Sequence, residues 1–121
     1  MEKLSEREKE WLNYIMEKEF LGREILIEQL NNIQVIKESG FDFLSIKMFA
    51  SQVNKLFPLD IRVPVEMICY QKTTAPVVFL LHIIEGIVNE LEIITADASF
   101  LDVEKIELMN REYMIDSKLI P

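Results

Sequence analysis

Hydrophobic positions change their spacing once along the chain. From Trp11 onward, Leu12, Ile15, Met16 and Phe20 recur every three or four residues. That is the stripe of an amphipathic helix. Ser5 stands three residues before Glu8, the spacing of a capping box. Gly22 interrupts the stripe, and Ile25, Leu26, Gln29 and Leu30 resume it. The pattern predicts two short helices, about 5–19 and 22–31.

From Ile33 the period becomes two. Ile33 and Val35 alternate with Gln34, then Phe41 and Phe43 with Leu44, Ile46 and Met48, and Gly40 lies between the runs as a hairpin turn requires. "NKLFPLD" reads as a loop. "IRVPVEMICYQ" is strand-like, but Pro64 has no N–H for a ladder, which argues for an edge strand or a bulge there. "VVFLLHII" and "IVNELEIITA", joined through "EG", make the strongest hairpin. The stretch Ser99–Ile115 mixes Leu101, Ile106, Leu108 and Met109 with many charges, so a short helix over 102–110 or an irregular arm packing back on the domain is expected. Helices followed by strands imply an α+β fold, with two helices packed on one face of a roughly five-stranded antiparallel sheet. The length fits one domain over 1–121: helices within 5–31, sheet within 33–96, C-terminal arm or short helix over 97–121.

The register of the strong hairpin decides what its polar residues do. A turn Ile84-Glu85-Gly86 with left-handed Gly86 pairs Ile83 with Ile87, Phe79 with Leu91 and Val77 with Ile93, collecting apolar side chains on one face. A two-residue Glu85-Gly86 turn sets Phe79 against Glu92 and Leu81 against Glu90, at a burial cost of several kcal/mol. The first register is therefore expected. It puts His82 opposite Val88, Leu80 opposite Glu90 and Val78 opposite Glu92, with His82 and Glu90 as diagonal neighbours. Val78, Leu80, Ile84 and Val88 share the second face with His82, which is too apolar for open solvent. The arm 98–121, a second copy of the chain or a partner protein is expected to cover it.

Charge sharpens this picture. The formal net charge is −8. Residues 1–32 carry five basic and eight acidic side chains, 33–85 five of each, and 86–121 three and eight. An acidic surface repels phosphate backbones, so a nucleic-acid partner is not expected. It suits a basic protein partner. The N-terminus lacks a signal-peptide apolar run, the most apolar stretch is too short and interrupted to span a bilayer, and the single cysteine, Cys69, excludes an internal disulfide. A cytoplasmic protein without membrane association is expected.

Candidate chemistry is sparse. His82, the chain's one histidine, with Glu90 and Glu92 forms a candidate polar cluster, read chiefly as a partly solvated strand face. Metal sites want three or more converging ligands, and a general base wants a substrate cleft. Asp97, Asp102 and Glu104 lack the glycine turn and spacing of a calcium loop. Cys69 reads as a core thiol. No phosphate loop, nucleophile elbow or Cys/His metal spacing occurs. No cofactor, metal or catalytic residue is assigned.

"EFLGREILIEQLNNIQVI" resembles the pattern FPG-x-E-x-L-x-x-QL plus a following valine-rich strand in a family of small uncharacterised bacterial proteins. Phe20, Gly22, Glu24, Gln29 and Leu30 match it, and Leu21 stands where that pattern has proline. "LLHIIEGIVNELEI" is similar to the family's later hairpin through Gly86, Leu91 and Glu92, and "DFLSIKM" to its second strand through Ser45. The resemblance covers residues 5–96 and implies an α+β fold without established catalytic residues. Some small acidic proteins of similar build act as immunity partners of bacterial toxins. The leading expectation is a non-enzymatic binding module, an inhibitor or immunity protein for a basic toxin domain, with Asp97, Asp102, Glu104 and Glu107 of the arm steering association. The alternatives are a structural homodimer and, behind it, a hydrolase using His82 with Glu90 or Glu92.

Overall fold

The first helix starts where the Ser5/Glu8 spacing places it. In a computed structural model describing residues 1–121, Ser5 Oγ accepts from the Glu8 N–H at 3.2 Å and Glu8 Oε1 accepts from the Ser5 N–H at 2.8 Å. Helix α1 spans Glu6–Ile15 and buries Trp11, Leu12 and Ile15. It stops short of residue 19, and Phe20 reaches the core from the connection that follows. Gly22, with φ 85°, is the N-cap of α2, Arg23–Leu30.

Seven antiparallel strands form one sheet: β1 (Glu2–Lys3), β2 (Ile33–Ser39), β3 (Phe43–Ala50), β4 (Val65–Cys69), β5 (Val77–Ile84), β6 (Ile87–Thr95) and β7 (Arg111–Ile115). Their order is β1-β2-β3-β6-β5-β4-β7. The α+β class stands, and the two strands beyond the expected five lie at the sheet's edges. β1 is a two-residue pairing of Glu2 with Val35 and Lys3 with Gln34. β7 comes from the segment expected to be an arm or a helix. Only Val103–Lys105 and Ser117–Leu119 make 3-10 turns there, while Arg111–Ile115 pairs with β4 from Cys69 to Val65. β4 is therefore an interior strand and not an edge. Pro64 does not interrupt it, because the ladder begins one residue later and the Pro64 carbonyl accepts from Asp116 N–H at 3.1 Å.

The β5–β6 register also differs from the expected one. The turn has two residues, Glu85 (φ 52°) and Gly86 (φ 79°), so Ile84 pairs with Ile87. Left-handed backbone at both central positions is the type I′ hairpin, whose twist suits the flanking strands. The mispairing that such a turn threatened is removed two residues on. Ile83 pairs with Val88 but His82 with Glu90, so Asn89 is the extra residue of a β-bulge. Beyond it Leu81 meets Leu91 and Phe79 meets Ile93, all buried. Val88 takes the core place expected for Ile87. Gly86 also lies under the 51–64 loop, where a Cβ would come 2.8 Å from Leu56 Cβ. Gly86→Ala is expected to cost about 2 kcal/mol, combining left-handed strain with that clash, as read by urea denaturation. A cost near zero would mean the loop shifts freely.

The core lies between the sheet and the helices. Trp11 packs on Phe79 with ring centroids 5.6 Å apart. Leu101 and Leu119 are buried in the same core, so the C-terminal segment closes the helix side and does not lie across the opposite face. α1 sits over β4 and α2 over β6. Seven strands span about 29 Å and two helices cover about 20 Å. The shortfall leaves a cleft between the helices on the β1–β2 side. No helix is long and apolar enough to cross a membrane.

Candidate functional site

The face of the sheet away from the helices has no covering layer of its own. At its centre the register lines up a polar strip. Lys47 on β3 pairs with Glu90 on β6, which pairs with His82 on β5; one row on, Ser45 pairs with Glu92 and then Leu80. His82, Glu90 and Glu92 are thus brought together, with His82 directly opposite Glu90 and diagonal to Glu92.

The hydrogen bonds divide the strip in two. Glu90 accepts from Ser45 Oγ at 2.6 Å and from Lys47 Nζ at 3.1 Å. Burial pushes its carboxyl up, but the Ser45 hydroxyl and the Lys47 ammonium outweigh that and hold it below the usual carboxylate range. His82 bonds elsewhere. Arg62 Nε donates to Nδ1 at 3.0 Å, and Nε2 lies 2.9 Å from Glu92 Oε1. Guanidinium nitrogens only donate. Nδ1 therefore presents its lone pair, and the ring proton sits on Nε2, directed at Glu92. Both ring nitrogens are engaged, and the imidazole links a cation to a carboxylate.

Sequence reasoning missed Arg62, Ser45 and Lys47. Arg62 lies in the loop before β4, where no periodicity marks it, and its carbonyl accepts from Ile83 N–H at 2.7 Å. Two clefts stand out in the molecule, and neither touches His82. No three His, Cys, Asp or Glu side chains converge as a metal site would need.

The acidic residues expected to steer a partner are spread out and locally employed. Asp97 accepts from Ser99 N–H at 3.0 Å, and the Ser99 contacts hold its carboxyl below the usual range. Asp102 caps the 3-10 turn through Glu104 N–H at 3.2 Å. Glu104 pairs with Arg7 on α1 at 3.2 Å. Glu107 accepts from Lys72 N–H at 3.3 Å. They form no single patch. The acidity of the open face comes instead from the strands: Glu38, Glu66, Glu90, Glu92 and Glu112 point to that side, against Lys3, Lys47 and Arg62.

A second cluster joins β7 to α1. The Arg111 guanidinium stacks on the Tyr14 ring, 4.1 Å from its centroid, and reaches Glu17 at 3.2 Å. Tyr113 Oη donates to the Tyr14 carbonyl at 2.7 Å and lies 2.9 Å from Glu17 Oε2. Burial and Glu17 push Tyr113 up to about 12. Beside it, burial pushes the Cys69 thiol up to about 11, so Cys69 is an inert core group. This cluster welds the edge strand to the helix layer.

No protein-family model matches the chain, and no curated protein or solved structure does so either.

Proposed function

We propose that the chain is a non-enzymatic protein-binding module acting in the cytoplasm, and that its open sheet face receives a basic protein. The finer reading is an inhibitor or immunity protein that occludes a basic toxin domain. One observation carries this: an uncovered face with five carboxylates against three cations, whose central polar strip is held rigid by hydrogen bonds. Around that centre Leu80, Ile68, Ile94 and Phe43 are half-buried, while Ile36, Phe49, Ile84 and Met114 are exposed. Apolar area rimmed by one sign of charge favours a partner of the opposite sign. It disfavours a second copy of this chain packed through the same face, because two like-charged faces would meet. The hydrolase reading is weaker because both His82 nitrogens are already bonded.

The charge-reversed variant Glu38→Lys, Glu66→Lys alters this face without touching the hydrogen-bonded strip. Its affinity for the captured partner is expected to fall on the order of tenfold at low salt, chiefly through slower association. Capture from host extract at low and high salt, followed by association kinetics, checks this. A partner whose binding ignores both salt and the two substitutions would sink the proposal.

A further inference from the structure

The cleft between the helices has the opposite electrostatic character from the rest of the chain. It encloses about 780 Å³ among fourteen residues, none of them Asp or Glu, and it sets Lys9 of α1 against Arg23 of α2. Its floor is apolar: Leu12, Met16 and Ile33 are buried there. Lys9 stands exposed at its rim. The carboxylates nearest the two cations, Glu6 at 3.4 Å from Lys9 and Glu24 at 3.8 Å from Arg23, point to solvent. Arg23 is set in place from behind, since its Nε donates to the Met16 carbonyl at 2.6 Å, and Nη2 is left without an ion pair while Nη1 lies 3.8 Å from Glu24. An oriented guanidinium suits a carboxylate or phosphate head. A volume in this range, apolar below and polar at a few fixed points, is that of a small-molecule site.

We propose that this cleft binds a small amphipathic anion, with a carboxylate or phosphate monoester held by Arg23 and Lys9 and an apolar body lying on Leu12, Met16 and Ile33. The gap exists because two short helices cannot cover seven strands, and its lining carries cations and no carboxylate. The site lies on the helix side, away from the open sheet face, so it stands or falls independently of the protein-binding reading.

Titration of the full chain with decanoate and with decyl phosphate, followed by amide NMR shifts, tests it. Saturable shifts are expected at Asn13, Ile27 and Ser51. The tighter of the two probes tells which head group the site prefers. The variant Lys9→Gln removes one rim charge and no buried contact, and it is expected to weaken binding about tenfold, as the loss of one charge-assisted hydrogen bond would. Arg23→Gln is expected to do at least as much, and the rim variant keeps the test decisive if Arg23→Gln fails to fold. No saturable shift with either anion would overturn the proposal. So would equal shifts with decyltrimethylammonium, or an unchanged dissociation constant in the rim variant.

Discussion

Replacing Gln29 by Leu is expected to remove about 4 kcal/mol of stability, equivalent to roughly 15 °C in Tm for a chain of this size. The side chain is 3% exposed and keeps nearly the same volume as Leu, so packing alone predicts little loss. Its amide is the reason for the large effect. Nε2 donates to the Lys55 carbonyl at 3.0 Å and to the Gly86 carbonyl at 2.9 Å, and Oε1 accepts from Val88 N–H at 2.9 Å. One side chain of α2 therefore satisfies backbone groups of the 51–64 loop, the β5–β6 turn and the start of β6. Leu would leave the Lys55 carbonyl and the Val88 N–H without a partner. The Gly86 carbonyl alone would keep a second donor, Phe57 N–H at 2.9 Å. Chemical denaturation with an unchanged m-value would read the loss directly. A loss under about 1 kcal/mol would mean that water reaches these groups, and that Gln29 does not pin the turn.

Glu8→Ala is expected to cost about 3 kcal/mol. Glu8 does two things from a buried position. It closes the capping box of α1, and its Oε2 meets Lys37 Nζ of β2 at 2.6 Å. Losing it removes the acceptor of the Ser5 N–H, half of the capping box, and leaves an ammonium whose side chain is only 27% exposed with Glu2, 3.9 Å away, as its one carboxylate. Lys37→Met alone is also expected to be costly, because it leaves the carboxylate without its counter-ion. The paired change Glu8→Leu, Lys37→Met should recover most of the pair's share of the loss, since a desolvated ion pair is worth little more than well-packed apolar groups. A double-mutant cycle measures the coupling. Additive single losses would show that the two residues act separately, and that the helix cap accounts for the whole effect of Glu8.

The sequence made some of this visible. The Ser5/Glu8 spacing located the first helix start, and the change of period at Ile33 separated helices from sheet. The hydrogen bond from Gln29 to the Gly86 carbonyl spans 57 residues, and no local pattern marks it. What could not be read was long-range pairing. The β5–β6 register turned on a single extra residue, Asn89, and a bulge leaves no mark in the hydrophobic alternation around it. β7 was hidden for a different reason. Its period of two is present, but the side chains facing inward begin with Arg111 and Tyr113, whose polar ends are satisfied by Glu17 and the Tyr14 carbonyl. A strand with such an inner face reads as polar. At the candidate site, His82, Glu90 and Glu92 were identified but their contacts were not. Arg62 is twenty residues from His82 in the chain and meets it only because the loop before β4 folds over the end of β5.

The two edges of the sheet come from opposite ends of the chain, and they are unequal. β1 shields only two residues of β2. β7 shields the whole of β4, whose Val65, Met67 and Cys69 are fully buried. A chain interrupted before Arg111 would keep its helices and its strongest hairpin, yet it would present β4 as a bare, apolar row of unpaired amides and carbonyls. Such a row is a template for strand addition from another molecule. Synthesis proceeds from the N-terminus, so every nascent copy passes through this state. The last strand to emerge is thus the molecule's safeguard against its own aggregation.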